Sequence, residues 1–140
     1  MTLLFAVALG CGADLTTNAA RDTDFEDTTD LDPPVITTTP IDEAQPFGAD
    51  VAVSALIVDD ASAITRVSLY FKNETGSGAD WDNLGMTSTD GETYTGTIPG
   101  VVESSAGMFY YIEAYDSAQN VSWSPKNGPT DPYHFSVYEE

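Results

Sequence analysis

Asp59, Asp60, Asp116 and Asn120 are the residues of this chain whose types and spacing best suit a chemical task. Calcium takes six to eight oxygen ligands from carboxylates and carbonyls, so three aspartates and an asparagine brought together by two loops could hold that ion. Turn formation competes for the same residues, because Asp and Asn side chains hydrogen-bond nearby backbone with no ion present. A second acidic stretch, Asp80-Trp81-Asp82-Asn83-Leu84-Gly85, imitates the start of an EF-hand loop and then departs from it. Leu84 takes a ligand position, and Gly91 stands where the bidentate Glu belongs. Cys11 is the only cysteine, which excludes an internal disulfide and any zinc cluster built on cysteines.

Catalysis finds less to work with. His134 is the only histidine and alternates with Tyr133 and Phe135, which puts it on an outward strand face with Ser136 and Tyr138. No Gly-x-Ser-x-Gly elbow presents a nucleophile. The adjacent carboxylates Asp59 and Asp60 face water and lack the separate environments that would divide them into acid and base. The chain reads as noncatalytic, with no cofactor. Tyr70, Trp81, Tyr111, Tyr115 and Trp123 are the candidates for an aromatic platform that stacks a sugar or a protein partner. Against that, a sandwich of this size is expected to bury at least one Trp and to pair its outward tyrosines across strands.

The elements that must position these residues are strands. The 140 residues are 41% hydrophobic and 11% aromatic, enough for a core, and carry a net charge of −19. Four Lys and Arg in the whole chain cannot neutralise a run of phosphates, so nucleic acid is excluded as a partner. From Pro33-Pro34 onward, short alternating runs are separated by turn residues and no stretch has helical period. Strands are expected over 35–39, 50–58, 63–72, 81–86, 92–98 and 107–115, with a last one at 121–124 and 133–138 interrupted between two prolines. Val51, Val53, Ala55 and Ile57 share one face of the second, and Val67, Leu69 and Phe71 face inward on the third. Asp90-Gly91 predicts a tight hairpin with positive φ at both positions. About seven antiparallel strands at this spacing predict an all-β sandwich over residues 33–140. An up-and-down trace brings Asp30, Asp32, Asp59, Asp60 and Asp116 to the same end. Acids are equally numerous at the other end, so the domain's charge is not polarised.

Several of these pieces resemble a known group. Val67-Ser68-Leu69-Tyr70-Phe71, Tyr110-Tyr111-Ile112-Glu113-Ala114, Asp116-Ser117-Ala118-Gln119-Asn120 and Phe135-Ser136-Val137 are similar, in order and spacing, to bacterial immunoglobulin-like or fibronectin type III-like repeats. Those repeats recur in secreted and lipid-anchored proteins. Gln119 stands where the group's Asp-x-Ala-Gly-Asn turn has glycine.

Ahead of the domain, residues 12–32 hold seven acids, five threonines and one arginine, a composition that cannot offset its ordering entropy by burial. They read as a disordered spacer with a mean reach of roughly 25 Å. The apolar run Leu3 to Leu9 is too short to span a bilayer and reads as an export signal over residues 1–10. Val7-Ala8-Leu9-Gly10-Cys11 resembles the lipobox of bacterial lipoproteins. The resemblance implies cleavage before Cys11, acylation of its thiol and, with Gly12 rather than Asp next, an outer-membrane location. A start upstream of Met1 would supply the basic residues such signals carry. The whole chain thus reads as a structural, adhesive or protein-interaction module at the envelope, with a protein or polysaccharide as partner; the alternatives are a carbohydrate- or calcium-binding module, or an accessory domain of a larger secreted assembly.

Overall fold

The computed structural model describes residues 29–75, 80–100 and 106–140; the signal-like segment, Cys11 and the tether up to residue 28 lie outside the described residues. Alternation dictates the longest elements. β1 (Val35–Thr38) is followed by β2 (Gln45–Pro46) and by β3 (Val51–Val58), which alternates buried and exposed residues along its whole length. β4 (Ile64–Asn73) buries Val67, Leu69 and Phe71 as its pattern demands. Then come β5 (Asp82–Gly85), β6 (Thr87–Ser88), β7 (Thr93–Ile98), β8 (Met108–Asp116), β9 (Val121–Ser124), β10 (Tyr133–Phe135) and β11 (Val137–Tyr138). A 3-10 turn spans Gly128–Thr130. The protein is all-β.

One sheet has the order β1-β3-β7-β6 and the other β10-β8-β4-β5, with β9 also paired to β8. Because β4 occupies one edge of β8 throughout, β9 and β10 follow each other along the opposite edge. These pairs are antiparallel, while β11 pairs in parallel with β2. The two sheets share one core. Val51, Val53, Ala55 and Ile57 of β3 and Ile98 of β7 pack with Leu69 and Phe71 of β4 and with Met108, Tyr110, Ile112 and Ala114 of β8. At Gly96 of β7 there is little room for a side chain: an added Cβ would lie 3.0 Å from Leu84 and 3.1 Å from Met86. Tyr110 is buried in the same cluster, its hydroxyl accepts the Ile41 N–H at 3.0 Å, and burial pushes the phenol up to about 12.

The strand expected over 81–86 forms as β5, paired with β4, and beyond buried Met86 the chain crosses so that an additional short strand, β6, joins β7 in the other sheet. The last expected strand is corrected: it divides, since Val137 and Tyr138 leave β8 for Gln45 and Pro46. Two-residue strands cannot display alternation, so about seven expected strands become eleven among the described residues.

At the hairpin, only Gly91 of the Asp90-Gly91 pair has positive φ, at +86°. The pairing of Ser88 with Tyr94 leaves a longer loop than a two-residue turn, and a side chain closes it. Asp90 Oδ1 accepts from the Thr93 N–H at 2.7 Å, the Glu92 N–H at 2.9 Å and the Ser88 hydroxyl at 3.0 Å. These donors, Thr93 first, hold the Asp90 carboxyl down from 3.8 to about 2. A folded-state value below the unfolded one adds stability that is complete above 3.8 and lost as pH falls towards about 2. Asp90→Ala should therefore melt below the wild type near neutral pH, and thermal melts should show that gap closing through the acid window.

Candidate functional site

The end of the sandwich where the chain arrives gathers three separate pieces of sequence. Pro33-Pro34 holds the leading segment, residues 29–34, extended up to β1. The β3–β4 loop folds around Asp59, whose Oδ1 accepts the backbone N–H of Ala61 at 3.1 Å and of Ser62 at 2.7 Å. The β8–β9 turn runs from Asp116 to Asn120, and Asp116 has no exposed surface. Its Oδ1 accepts the Asn120 N–H and its Oδ2 the Asn120 amide group, both at 2.8 Å.

Asn120 joins the pieces. Its amide nitrogen also donates to the carbonyl of Asp30 at 3.0 Å and to that of Asp32 at 3.3 Å. Asp30 Oδ1 accepts the Asp32 N–H at 3.0 Å. The neighbouring Ser62 side chain, followed by the Asp32 N–H, keeps the Asp30 carboxyl below its ordinary value against the opposing effect of desolvation. Carboxylate oxygens of Asp30, Asp59 and Asp116 then lie within 4.8 Å of one another. Asp30, Asp32 and Asp60 form a second, more exposed group on the same criterion. The ion pairs among the described residues join Arg66 to Glu113 and His134 to Glu74, so none involves these acids. Beside them a groove of about 620 Å³ is lined by Asp32, Pro33, Pro34, Val58, Asp59 and others.

Of the sequence candidates, Asp59 and Asp116 come together, Asp60 falls in the outer group, and Asn120 serves as a donor that positions its neighbours. Asp30, which the strand trace carries to this end without making it a ligand candidate, supplies the third carboxylate. Its signal is the Asp-x-Asp directly ahead of Pro33-Pro34, where an extended chain cannot turn away from the sandwich.

The aromatic candidates occupy one face of the sheet that contains β4 and β8. Tyr70 and Tyr111, opposite each other in register, stack with centroids 4.7 Å apart and planes parallel. Trp81 meets Tyr111 edge-on at 4.9 Å, and Lys72 Nζ lies 4.6 Å over Trp81. Arg66 covers Tyr115 at 4.2 Å. Glu113 ties the row together, accepting the Tyr70 hydroxyl at 3.3 Å and the Trp123 indole N–H at 2.9 Å. Burial first, and then the Tyr70 and Glu113 charges, push the Tyr111 phenol up to about 12. Tyr70, Tyr111 and Trp81 thus face one another, while Tyr115 lies under Arg66 and Trp123 stays exposed. Neither tryptophan is buried: Trp81 is half-buried and Trp123 is 41% exposed, and Tyr110 fills the core instead. His134 sits outside on β10, its Nε2 3.0 Å from Glu74 Oε2.

No family model matches the chain, and no curated protein does. Among solved structures it is similar to part of an engineered protein, at 14% identity over 74% of this chain and 20% of that one, with a TM-score of 0.49. A β-glucosidase from Listeria innocua in complex with isofagomine is similar at 12% identity over 79% of this chain and 17% of that one, TM-score 0.46. The sulfane dehydrogenase SoxCD from Paracoccus pantotrophus is similar at 16% over 64% and 23%, TM-score 0.43. The chain spans about a fifth of the length of each of these proteins.

The turn that carries Asp116 and Asn120 contains the one non-glycine residue with positive φ among the described residues, Gln119 at +74°. That conformation costs an ordinary side chain about 1–2 kcal/mol, while glycine loses about 0.5–1 kcal/mol more backbone entropy on folding. Gln119→Gly should stabilise the protein by roughly 0.5–1 kcal/mol, visible in urea denaturation as a higher midpoint with unchanged slope. A lower midpoint would contradict the strained-turn reading.

Proposed function

We propose that this chain is a noncatalytic immunoglobulin-like or fibronectin type III-like module that a lipid anchor holds at the bacterial envelope, with a structural or adhesive role. The observation that carries this reading is the bond from the Asn120 amide to the carbonyls of Asp30 and Asp32. It gives the tether a fixed point of departure, as a domain carried by its preceding chain requires. Behind that point the tether brings seven acids and the domain a further 16 against three bases. Such charge keeps the module soluble and repels it from an anionic surface over about a Debye length, roughly 8 Å at physiological salt. The tether's reach of roughly 25 Å exceeds that distance, so the module stands clear of the membrane.

The anchor follows from Cys11. Each buried methylene contributes about 0.8 kcal/mol, and one acyl chain alone is marginal, so stable attachment calls for more than one chain on the mature N-terminal cysteine. Mass spectrometry of protein extracted from membranes should find a chain that starts at an acylated Cys11, and Cys11→Ala should release the protein into the soluble fraction. A membrane-extracted chain that still begins at Met1 with a free thiol would end the lipoprotein reading.

A further inference from the structure

We infer that Asp30, Asp59 and Asp116 form a divalent-cation site suited to calcium, which closes the leading segment onto the end of the sandwich. This goes beyond the envelope role proposed above and stands without it. Carboxylate oxygens of the three acids lie within 4.8 Å of one another, close enough for all three to reach one calcium ion at about 2.3–2.6 Å each. Clustering alone would be ordinary on so acidic a chain.

What points to a ligand is a separate fact: Oδ2 of Asp30 and Oδ2 of Asp59 are both buried and accept no hydrogen bond. A buried acceptor without a donor is costly, and native proteins seldom leave one. The local turns explain why these two oxygens remain. The Asp32 N–H uses the other oxygen of Asp30, and the Ala61 and Ser62 N–H groups use the other oxygen of Asp59. Those backbone donors are thereby spent, the Ser62 side chain beside Asp30 still leaves its Oδ2 without a partner, and no Lys or Arg forms an ion pair with the three acids among the described residues. Asp116 supplies a third, wholly buried carboxylate whose oxygens each keep a lone pair while accepting from Asn120.

A doubly charged ion would reduce three converging negative charges to one and satisfy both orphan oxygens together. Calcium fits better than magnesium, because ligands from a leading segment and two turns need not meet octahedral geometry, and water reaching the cluster through the adjoining groove can fill the remaining positions. Asn120 is then a positioning residue. It orients the Asp116 carboxylate and holds Asp30 within reach, and it provides no ligand of its own through the amide nitrogen.

The test is titration of calcium chloride into chelator-stripped full-length chain at neutral pH, followed by calorimetry and thermal melting. Extracellular modules bind calcium with Kd of about 10⁻⁴–10⁻³ M, so about 5 mM should raise the melting temperature by roughly 5 °C. Magnesium should do much less. Asp30→Asn changes a residue outside the core and should fold while losing affinity by ~10-fold or more. Asp42→Asn, which removes the same charge at the other end, should bind as the wild type does. Amide exchange over residues 30–32 should slow when calcium is added. A melting temperature indifferent to calcium would hand the two oxygens to a shared proton and overturn the site. Equal effects of calcium and magnesium, or equal losses in Asp30→Asn and Asp42→Asn, would reduce it to charge screening and overturn it too.

Discussion

A carboxylate with no exposed surface has to be satisfied from within, and Asp116 meets that demand by fixing the turn that follows it. Both of its oxygens take hydrogen bonds from Asn120, so the last residue of β8 dictates where β9 begins. Bonds to an ionised acceptor contribute about 1.5–3 kcal/mol each, enough to offset much of the several kcal/mol that burying the charge costs. The same Asn120 amide reaches two backbone carbonyls some ninety positions earlier in the chain. One buried charge thereby organises the turn, the start of β9 and the arrival of β1.

The core makes this arrangement rigid. β8 is the strand to which β4, β9 and β10 all pair, and its inward residues Met108, Tyr110, Ile112 and Ala114 are buried among both sheets. Asp116 continues that inward alternation by one step, with a charged group in place of an apolar one. Its position is therefore set by the packing of the whole strand, and the loops that surround it adapt. On the other face of β8, Tyr111 and Glu113 do for the aromatic row what Asp116 does for the loops, since neighbouring side chains are stacked on or bonded to them.

Much of the scaffold is legible in the sequence where burial imposes a period. Val51, Val53, Ala55 and Ile57 announce β3, and Val67, Leu69 and Phe71 announce the inward side of β4. The crossing at Met86 and the pairing of Gln45 with Val137 are illegible, because their strands are too short to show a period and depend on partners far away in the chain. The meeting of Asp59 with Asp116 can be foreseen from strand order alone. The same trace carries Asp30 to that end, but its contact with the cluster is fixed by Asn120, a bond between distant residues that leaves no local pattern. The aromatic residues are readable as an outward row, whereas their mutual stacking follows from register, which places Tyr70 opposite Tyr111.

The two orphan oxygens of Asp30 and Asp59 connect this architecture to function, since an ion between them would lock the leading segment to the same turn that Asp116 already holds. A crystal structure grown in calcium tests that account most directly. It should contain one ion bound by Asp30, Asp59 and Asp116 at about 2.3–2.6 Å, with Asn120 still bonded to Asp116 and to the leading segment. Water alone at that centre, or calcium found only on other acids of the chain, would contradict it.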